Sequence, residues 1–434
     1  MPGYHDPRKR AGNANRRRGK RRRPSAARGS RGAWRQPRGS APMPTVGLIA
    51  AALVALVGLA LMRAPGLGHG ECELQKVPDT MEQLSEFPAT CGLRLLHSTD
   101  RLRVYAYTQN GGWCWNSAGV VYDARENEFV LVDLLTDPKQ TSKMLSAIKA
   151  ELPEGAKLRD LVLTHCDIDH IGGFQLVQGQ VGRVFAARGC EPAMSGFFKS
   201  DLGKGVTILH YAWSLLRPFS WALSPLFGGK KTPHFLAKLA VAPLLDPFAW
   251  HEVVDATALA EGKPLVTDVV EPGRHPLVGG LVTLVTLPTS SHSNHDLAVE
   301  VDGTVLFAGD IVFNGITPVN WAGTFDQSVQ ACEALSGWQG LIVPGHGAIQ
   351  HSSQRPFDKM AGYWKTLKEL SGREGFDPYG VLDALPEPYR GWEDAERSLI
   401  NLLVEAKNRE SPGGKIDKVG YLAEYMKIKF SNIN

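Results

Sequence analysis

Residues 161–173 read Leu-Val-Leu-Thr-His-Cys-Asp-Ile-Asp-His-Ile-Gly-Gly. Within six of these residues stand four side chains that can ligate a metal: His165, Asp167, Asp169 and His170. The apolar run just before them reads as a buried strand, and a strand end fixes where the ligands begin. Three further segments repeat the pattern. Residues 281–287 precede Pro288-Thr289-Ser290-Ser291-His292, residues 304–308 precede Gly309-Asp310, and residues 341–343 precede Pro344-Gly345-His346-Gly347. One such cluster alone also admits the lesser reading of a polar turn at a strand end. Four strand ends that all deliver His or Asp predict a two-metal centre along one edge of a sheet.

These landmarks, in this order, resemble the metallo-β-lactamase superfamily, whose pattern is His-x-His-x-Asp-His, a His after a Thr-x-x turn, Gly-Asp, and Pro-Gly-His-Gly. Asp133, in Val130-Leu131-Val132-Asp133, resembles the family's earlier strand-end aspartate, which supports the ligands from behind. The resemblance covers roughly residues 100–350. One position departs from it: Asp167 stands where the family carries its second histidine. Residues 306–323, with Thr317-Pro318-Val319-Asn320-Trp321-Ala322-Gly323, resemble a branch with Thr-Pro-Val-x-Trp-Ala-Gly after the bridging aspartate. Tyr389 to Arg397 also matches that branch and extends the resemblance to about residue 410.

The resemblance implies a ligand set. His165, His292 and, if it ligates, Asp167 would hold one ion. Asp169, His170 and His346 would hold the other, with Asp310 bridging. Two divalent ions are expected, zinc first for its fit to imidazole and carboxylate. Three carboxylates make Mn(II) or Fe(II) more competitive. A hydroxide held between two such ions has its pKa lowered toward about 7, giving a nucleophile at neutral pH. Asp169 and Asp310 are then the catalytic carboxylates, Asp169 orienting the hydroxide and shuttling its proton. His295 competes with His292 for the third position, but Thr289 three residues earlier favours His292. Cys166 falls at the alternating position, pointing away from the ions, and reads as packing. Asn314 and Trp321 follow the bridging aspartate and are candidates to line a substrate pocket; Trp321 reads equally as a core residue holding that loop.

The elements that must position these groups alternate along the chain. Strands are expected over 101–108, 114–123, 128–134, 158–164 and 181–187, with a helix over 137–152 whose Met144, Leu145, Ile148 and Leu152 share one side. The fold expected from the resemblance is an α/β protein, an αββα sandwich over 99–354. A helical insertion at 190–262 is rich in Phe and Trp and broken by Pro218, Pro225, Pro233, Pro243 and Pro247. It reads as a lid over an apolar pocket or as an aromatic patch packed on the sheet or membrane. Helices over 355–370, 392–408 and 415–430 make a C-terminal extension, 355–434, that packs on the domain.

The front of the chain is different in kind. Residues 1–41 hold 14 Arg and Lys against Asp6 alone, a charge of +13, so the remainder of the +4 chain carries −9. Such a segment buries no core and is expected to be disordered. An acidic body makes nucleic acid an unsuitable partner. Residues 42–65 are almost wholly apolar up to Met62, and about 20 such residues span a bilayer core of about 30 Å. Residues 42–65 therefore predict one transmembrane helix, followed by a linker over 66–98 with a short helix near 79–87. The basic flank would stay cytosolic against anionic lipid headgroups, with the enzyme on the lumenal, periplasmic or extracellular side. The rival is a cleaved leader. Cys72 and Cys91 could bridge in such a compartment or remain thiols.

Together these features predict a metal-dependent hydrolase cleaving an ester, thioester, lactone or related bond of an apolar small molecule. Two other readings stay open. His165, His292 and Asp310 make the two-histidine, one-carboxylate set of non-haem Fe(II) oxidoreductases, as in persulfide dioxygenases of the same superfamily. A non-catalytic metal-binding protein is the third.

Overall fold

The computed structural model describes residues 75–76, 92–108, 116–136, 138–192, 194 and 265–431. The expected tail at 1–41, the apolar segment at 42–65, the short helix near 79–87, Cys72, Cys91 and nearly all of the 190–262 insertion lie outside them. No helix among the described residues is long and apolar enough to cross a membrane.

Two sheets carry the chain. The first has eight strands side by side in sequence order: β1 (Gln75–Lys76), β2 (Gly92–Ser98), β3 (Leu102–Thr108), β4 (Ser117–Asp123), β5 (Glu128–Val132), β6 (Lys157–Leu163), β7 (Arg183–Ala187) and β8 (Asp268–Val270). Pairing is antiparallel from β2 to β5 and parallel from β5 to β8. Helix α1 (Pro138–Glu151) makes the crossover between the parallel strands β5 and β6, since parallel neighbours need a long connection. After β6 comes the single-turn helix α2 (Ile168–Ile171). The second sheet has β9 (Arg274–Leu277), β10 (Val282–Thr286), β11 (Leu297–Val301), β12 (Val305–Asn314), β13 (Leu341–Gly347) and β14 (Gln350–His351), in the order β14-β13-β12-β11-β10-β9. Helix α3 (Phe325–Leu335) crosses between the parallel pair β12 and β13.

Strand alternation decides which side chains go where. On β6, Val162 joins a core shared by both sheets with Val104, Val121, Val299, Val305 and Val343. Its neighbours Leu161 and Leu163 point the other way and pack with Met144 and Ile148 of α1. On the far side, Leu306, Ala308 and Ile342 pack against Phe325 of α3 and against Met360 and Trp364 of α4 (Pro356–Gly372). The layers therefore run helix, sheet, sheet, helix, a mixed α/β arrangement that agrees with the expected sandwich. Helices α5 (Ser398–Glu410) and α6 (Lys418–Ser431) follow.

The structure differs from the expected elements in three places. Residues 92–98, expected as linker, form β2 and pair with β3. The helix expected from Trp392 begins only at Ser398. Residues 389–397 are held instead as short turns, because Glu393 pairs its backbone with the loop after β12: Glu393 N–H donates to Gly315 O and Thr317 N–H donates to Glu393 O, both at 2.9 Å. Asp310, expected just beyond a strand, lies inside the ten-residue β12, where the register shifts on either side of Gly309. Such irregularities re-aim a side chain out of the ladder.

Candidate metal centre

The ligands converge because strands from both sheets end at one edge. His165 follows β6 by two residues, and α2 carries Asp169 and His170. Asp310 and His346 come from the neighbouring parallel strands β12 and β13. His292 lies in the loop between β10 and β11. Glycine is required beside Asp310: a Cβ on Gly345 would collide with Asp310 Oδ1, and one on Gly309 would meet the Thr164 side chain at 2.8 Å. That is why Gly-Asp and Pro-Gly-His sit where the two strands run side by side.

All seven sequence-predicted ligands are brought together. Asp310 is the hub. Its Oδ2 lies 3.3 Å from His292 Nε2, 3.4 Å from His346 Nε2 and 3.7 Å from His165 Nε2, while Oδ1 lies 3.1 Å from His170 Nε2. On one side, His292 Nε2 is 3.1 Å from Asp167 Oδ2. On the other, His346 Nε2 is 3.4 Å from Asp169 Oδ2. Three sets of ligand atoms each gather within 4.8 Å: His165, Asp167 and His292; Asp169, His170 and His346; and His165, His170 and Asp310.

The surroundings fix which ring nitrogen faces the centre. Asp133, at the end of β5, accepts from Thr164 N–H at 2.7 Å, Thr164 Oγ1 at 2.6 Å and His170 Nδ1–H at 2.9 Å. Thr164 Oγ1 donates its one O–H to Asp133, so it accepts from His165 Nδ1–H at 3.1 Å. His292 donates Nδ1–H to Val319 O. Each of these rings spends Nδ1 on the protein and turns Nε2 inward, the arrangement that orients imidazole ligands. Asp133 adopts φ 59°, a left-handed conformation costly for a non-glycine residue.

The donor set fits divalent cations. His165 Nε2 is buried with no hydrogen-bond partner, an expensive condition that a ligated ion would relieve. The charges point the same way. Burial alone would push His170 and His292 down, but Asp310 with Asp133 raises His170 well above the ordinary range, and Asp310 with Asp167 carries His292 to about 10. His346 is likewise raised, against burial, by Asp310 and Asp169. Burial and the neighbouring His170 hold His165 well below its ordinary value. Burial would raise Asp310, yet the four imidazoles hold it far down. Carboxylates this crowded call for positive charge at their centre, which imidazolium protons or metal ions can supply.

Residues 111–182 match the family model described as metallo-beta-lactamase superfamily. Over those residues the chain is similar to that superfamily. No curated protein matches it. Solved structures similar to it include DIM-1 metallo-beta-lactamase, 15% identical, covering 63% of this chain and 97% of that one with a TM-score of 0.39. TMB-1, 13% identical, covers 64% and 100% with a TM-score of 0.40, and VMB-1, 13% identical, covers 64% and 99% with a TM-score of 0.40.

Other residues singled out in the sequence find different places. Asn314 donates to Ala348 O at 2.9 Å and so ties β12 to the loop after His346. Trp321 is half-buried, and its backbone N–H donates to His292 O at 2.9 Å, so this loop holds the His292 loop. His295 is buried beside Cys166 and Cys190 and away from the ligand set, and burial pushes it down to about 4. His351 is half-buried and accepts from Ser353 N–H through Nδ1 at 3.2 Å. Cys166 does point away from the ligands, but it is joined to Cys190 as a disulfide.

Two supporting groups come from a region read only as packing. Lys418, the first residue of α6, places Nζ 3.8 Å from Asp167 Oδ1 and 4.9 Å from the Trp321 ring centroid. Lys418 and His292 hold Asp167 well below the ordinary carboxylate range, although burial opposes them. Asn401 of α5 donates to Pro318 O and accepts from Asn320 N–H, at 2.9 and 2.8 Å, bracing the loop that carries Val319 and Trp321. No local motif marks either residue in sequence.

Proposed function

We propose that the protein is a metallohydrolase acting on an ester, thioester, lactone or related bond of an apolar small molecule. The observation that carries this reading is Asp310, within 3.1–3.7 Å of four imidazole nitrogens with an aspartate on either flank. His165, Asp167 and His292 would hold one divalent ion and Asp169, His170 and His346 the other, with Asp310 shared and zinc the first candidate. Bound there, such ions supply a Lewis acid and an activated hydroxide. Asp169 is half-buried beside His346 and is the carboxylate placed to accept a proton at Oδ2. Trp321 and Lys418 shape the mouth of the site on the Asp167 side.

The apolar character of the substrate rests on the aromatic residues of 190–262. The apolar segment 42–65 supports a single-pass membrane protein with the basic tail on the cytosolic side against anionic headgroups and the enzyme across the membrane. The test is elemental analysis of the purified full-length protein, then a panel of thioesters and lactones. Two zinc or manganese ions with hydrolysis are expected.

One observation favours a second reading. Lys418 already faces Asp167, which leaves His165, His292 and Asp310 as a two-histidine, one-carboxylate set suited to a single Fe(II). One iron per chain with oxygen consumption would select that oxidoreductase over the hydrolase.

A further inference from the structure

Behind the centre lies a second cluster. Cys166 stands between the ligands His165 and Asp167, and its side chain turns to the opposite side. There it meets Cys190, just beyond β7, with the Cα atoms 5.5 Å apart and the two joined as a disulfide. His295, three residues after His292, completes the group: one ligand atom from each of the three residues lies within 4.8 Å of the others. Cys166 is 6%, Cys190 0% and His295 9% exposed. The disulfide leaves His295 Nε2 buried with no hydrogen-bond partner. Buried ring nitrogens are seldom left so, and a metal is one of the few partners that two sulfurs and an imidazole can share.

We propose that in the reduced protein Cys166, Cys190 and His295 bind one soft divalent ion of the zinc class, separately from the His/Asp centre. Zn–S and Zn–N bonds of about 2.3 and 2.0 Å hold ligand atoms roughly 3.5 Å apart, a separation the two sulfurs reach only once their bond is broken. Two thiolates and a neutral imidazole around a divalent cation carry no net charge, the condition a buried site demands. Sulfur ligands also separate this site from the oxygen-rich one, which tolerates harder ions. A dithiol reductant breaks the Cys166–Cys190 bond, giving two electrons and two protons to the sulfurs as it closes its own disulfide. Metal binding then releases those two thiol protons. An ion here would tie the His165 loop to the His292 loop from behind, so that redox state would reach the ligands without touching them. This assignment does not depend on what the His/Asp centre catalyses.

The test is cobalt(II) titration of the full-length protein, as isolated and after reduction with a phosphine. The reduced chain is expected to bind one more ion than the oxidised chain and to show a near-ultraviolet thiolate-to-cobalt charge-transfer band. Cys190→Ser should lose that band and the extra ion while keeping the visible bands of the nitrogen and oxygen ligands. Equal ion counts in the two redox states, or no charge-transfer band on reduction, would overturn the proposal. Should Cys190→Ser fail to fold, His295→Gln keeps both sulfurs; weaker cobalt binding at the band is expected, and unchanged affinity would overturn it equally.

Discussion

On one side of Asp310 sit Asp169, His170 and His346; on the other sit His165, Asp167 and His292. The first side is supported by the core of the domain. His170 is fully buried and hydrogen-bonded to Asp133, which ends a central strand of the first sheet. The second side is supported by late parts of the chain. His292 is aimed by Val319, whose loop is braced from α5 by Asn401, and Asp167 faces Lys418 of α6. The contrast teaches that one half of the centre comes with the two-sheet fold, whereas the other half is finished by the C-terminal extension. The half that departs from the family pattern, at Asp167, is the half that the extension supports.

Asp310→Ala should break both halves at once. It is expected to remove most bound metal and essentially all turnover, a loss beyond the roughly 100-fold that a supporting residue costs. Elemental analysis checks this, and unchanged metal content would refute a shared bridge. Asp133→Asn should weaken the core-supported side most, by about 10–100-fold in affinity for that ion, because His170 binds Asp133 directly whereas His165 is reached only through Thr164; competition with a chelator reads it. The other ion should lose less; equal weakening of both would erase the comparison.

The protons on the imidazoles sharpen it further. His292 is raised to about 10, and His170 and His346 are raised too. A ligand must present an unprotonated Nε2, so near pH 7 binding must expel protons that these groups hold. Apparent affinity should therefore rise with pH through the neutral range, about tenfold per unit for each proton expelled. Calorimetric titration in buffers of different ionisation enthalpy counts those protons; no release would contradict the charge balance described here. The smallest effect is expected at Lys418→Met. Removing an exposed cation from Asp167 should tighten the ion on that side by about two- to fivefold at low salt. A change confined to the Asp133 side would be the wrong outcome.

Much of this was legible in the sequence, and for a physical reason. A ligand-bearing loop must leave a strand abruptly, so His165, Asp169, His170, Asp310 and His346 stand next to apolar runs and glycines that mark the edge of a sheet. Asp133 was readable in the same way. Lys418 and Asn401 were not, because each reaches the site from a helix whose pattern reports only its own packing. Residues 392–397 misled for a related reason: their spacing suits a helix, but pairing of Glu393 with Gly315 and Thr317 overrides it. Cys166 was read correctly as facing away from the ligands. What it faces depends on Cys190 and His295, which only the fold brings near.

The most direct test of the central claim is anomalous diffraction from crystals of the metal-loaded protein, measured at the absorption edge of the bound metal. The account predicts two peaks flanking Asp310, one beside His165, Asp167 and His292 and one beside Asp169, His170 and His346. A single peak on either side, with Asp310 serving only that ion, would contradict it.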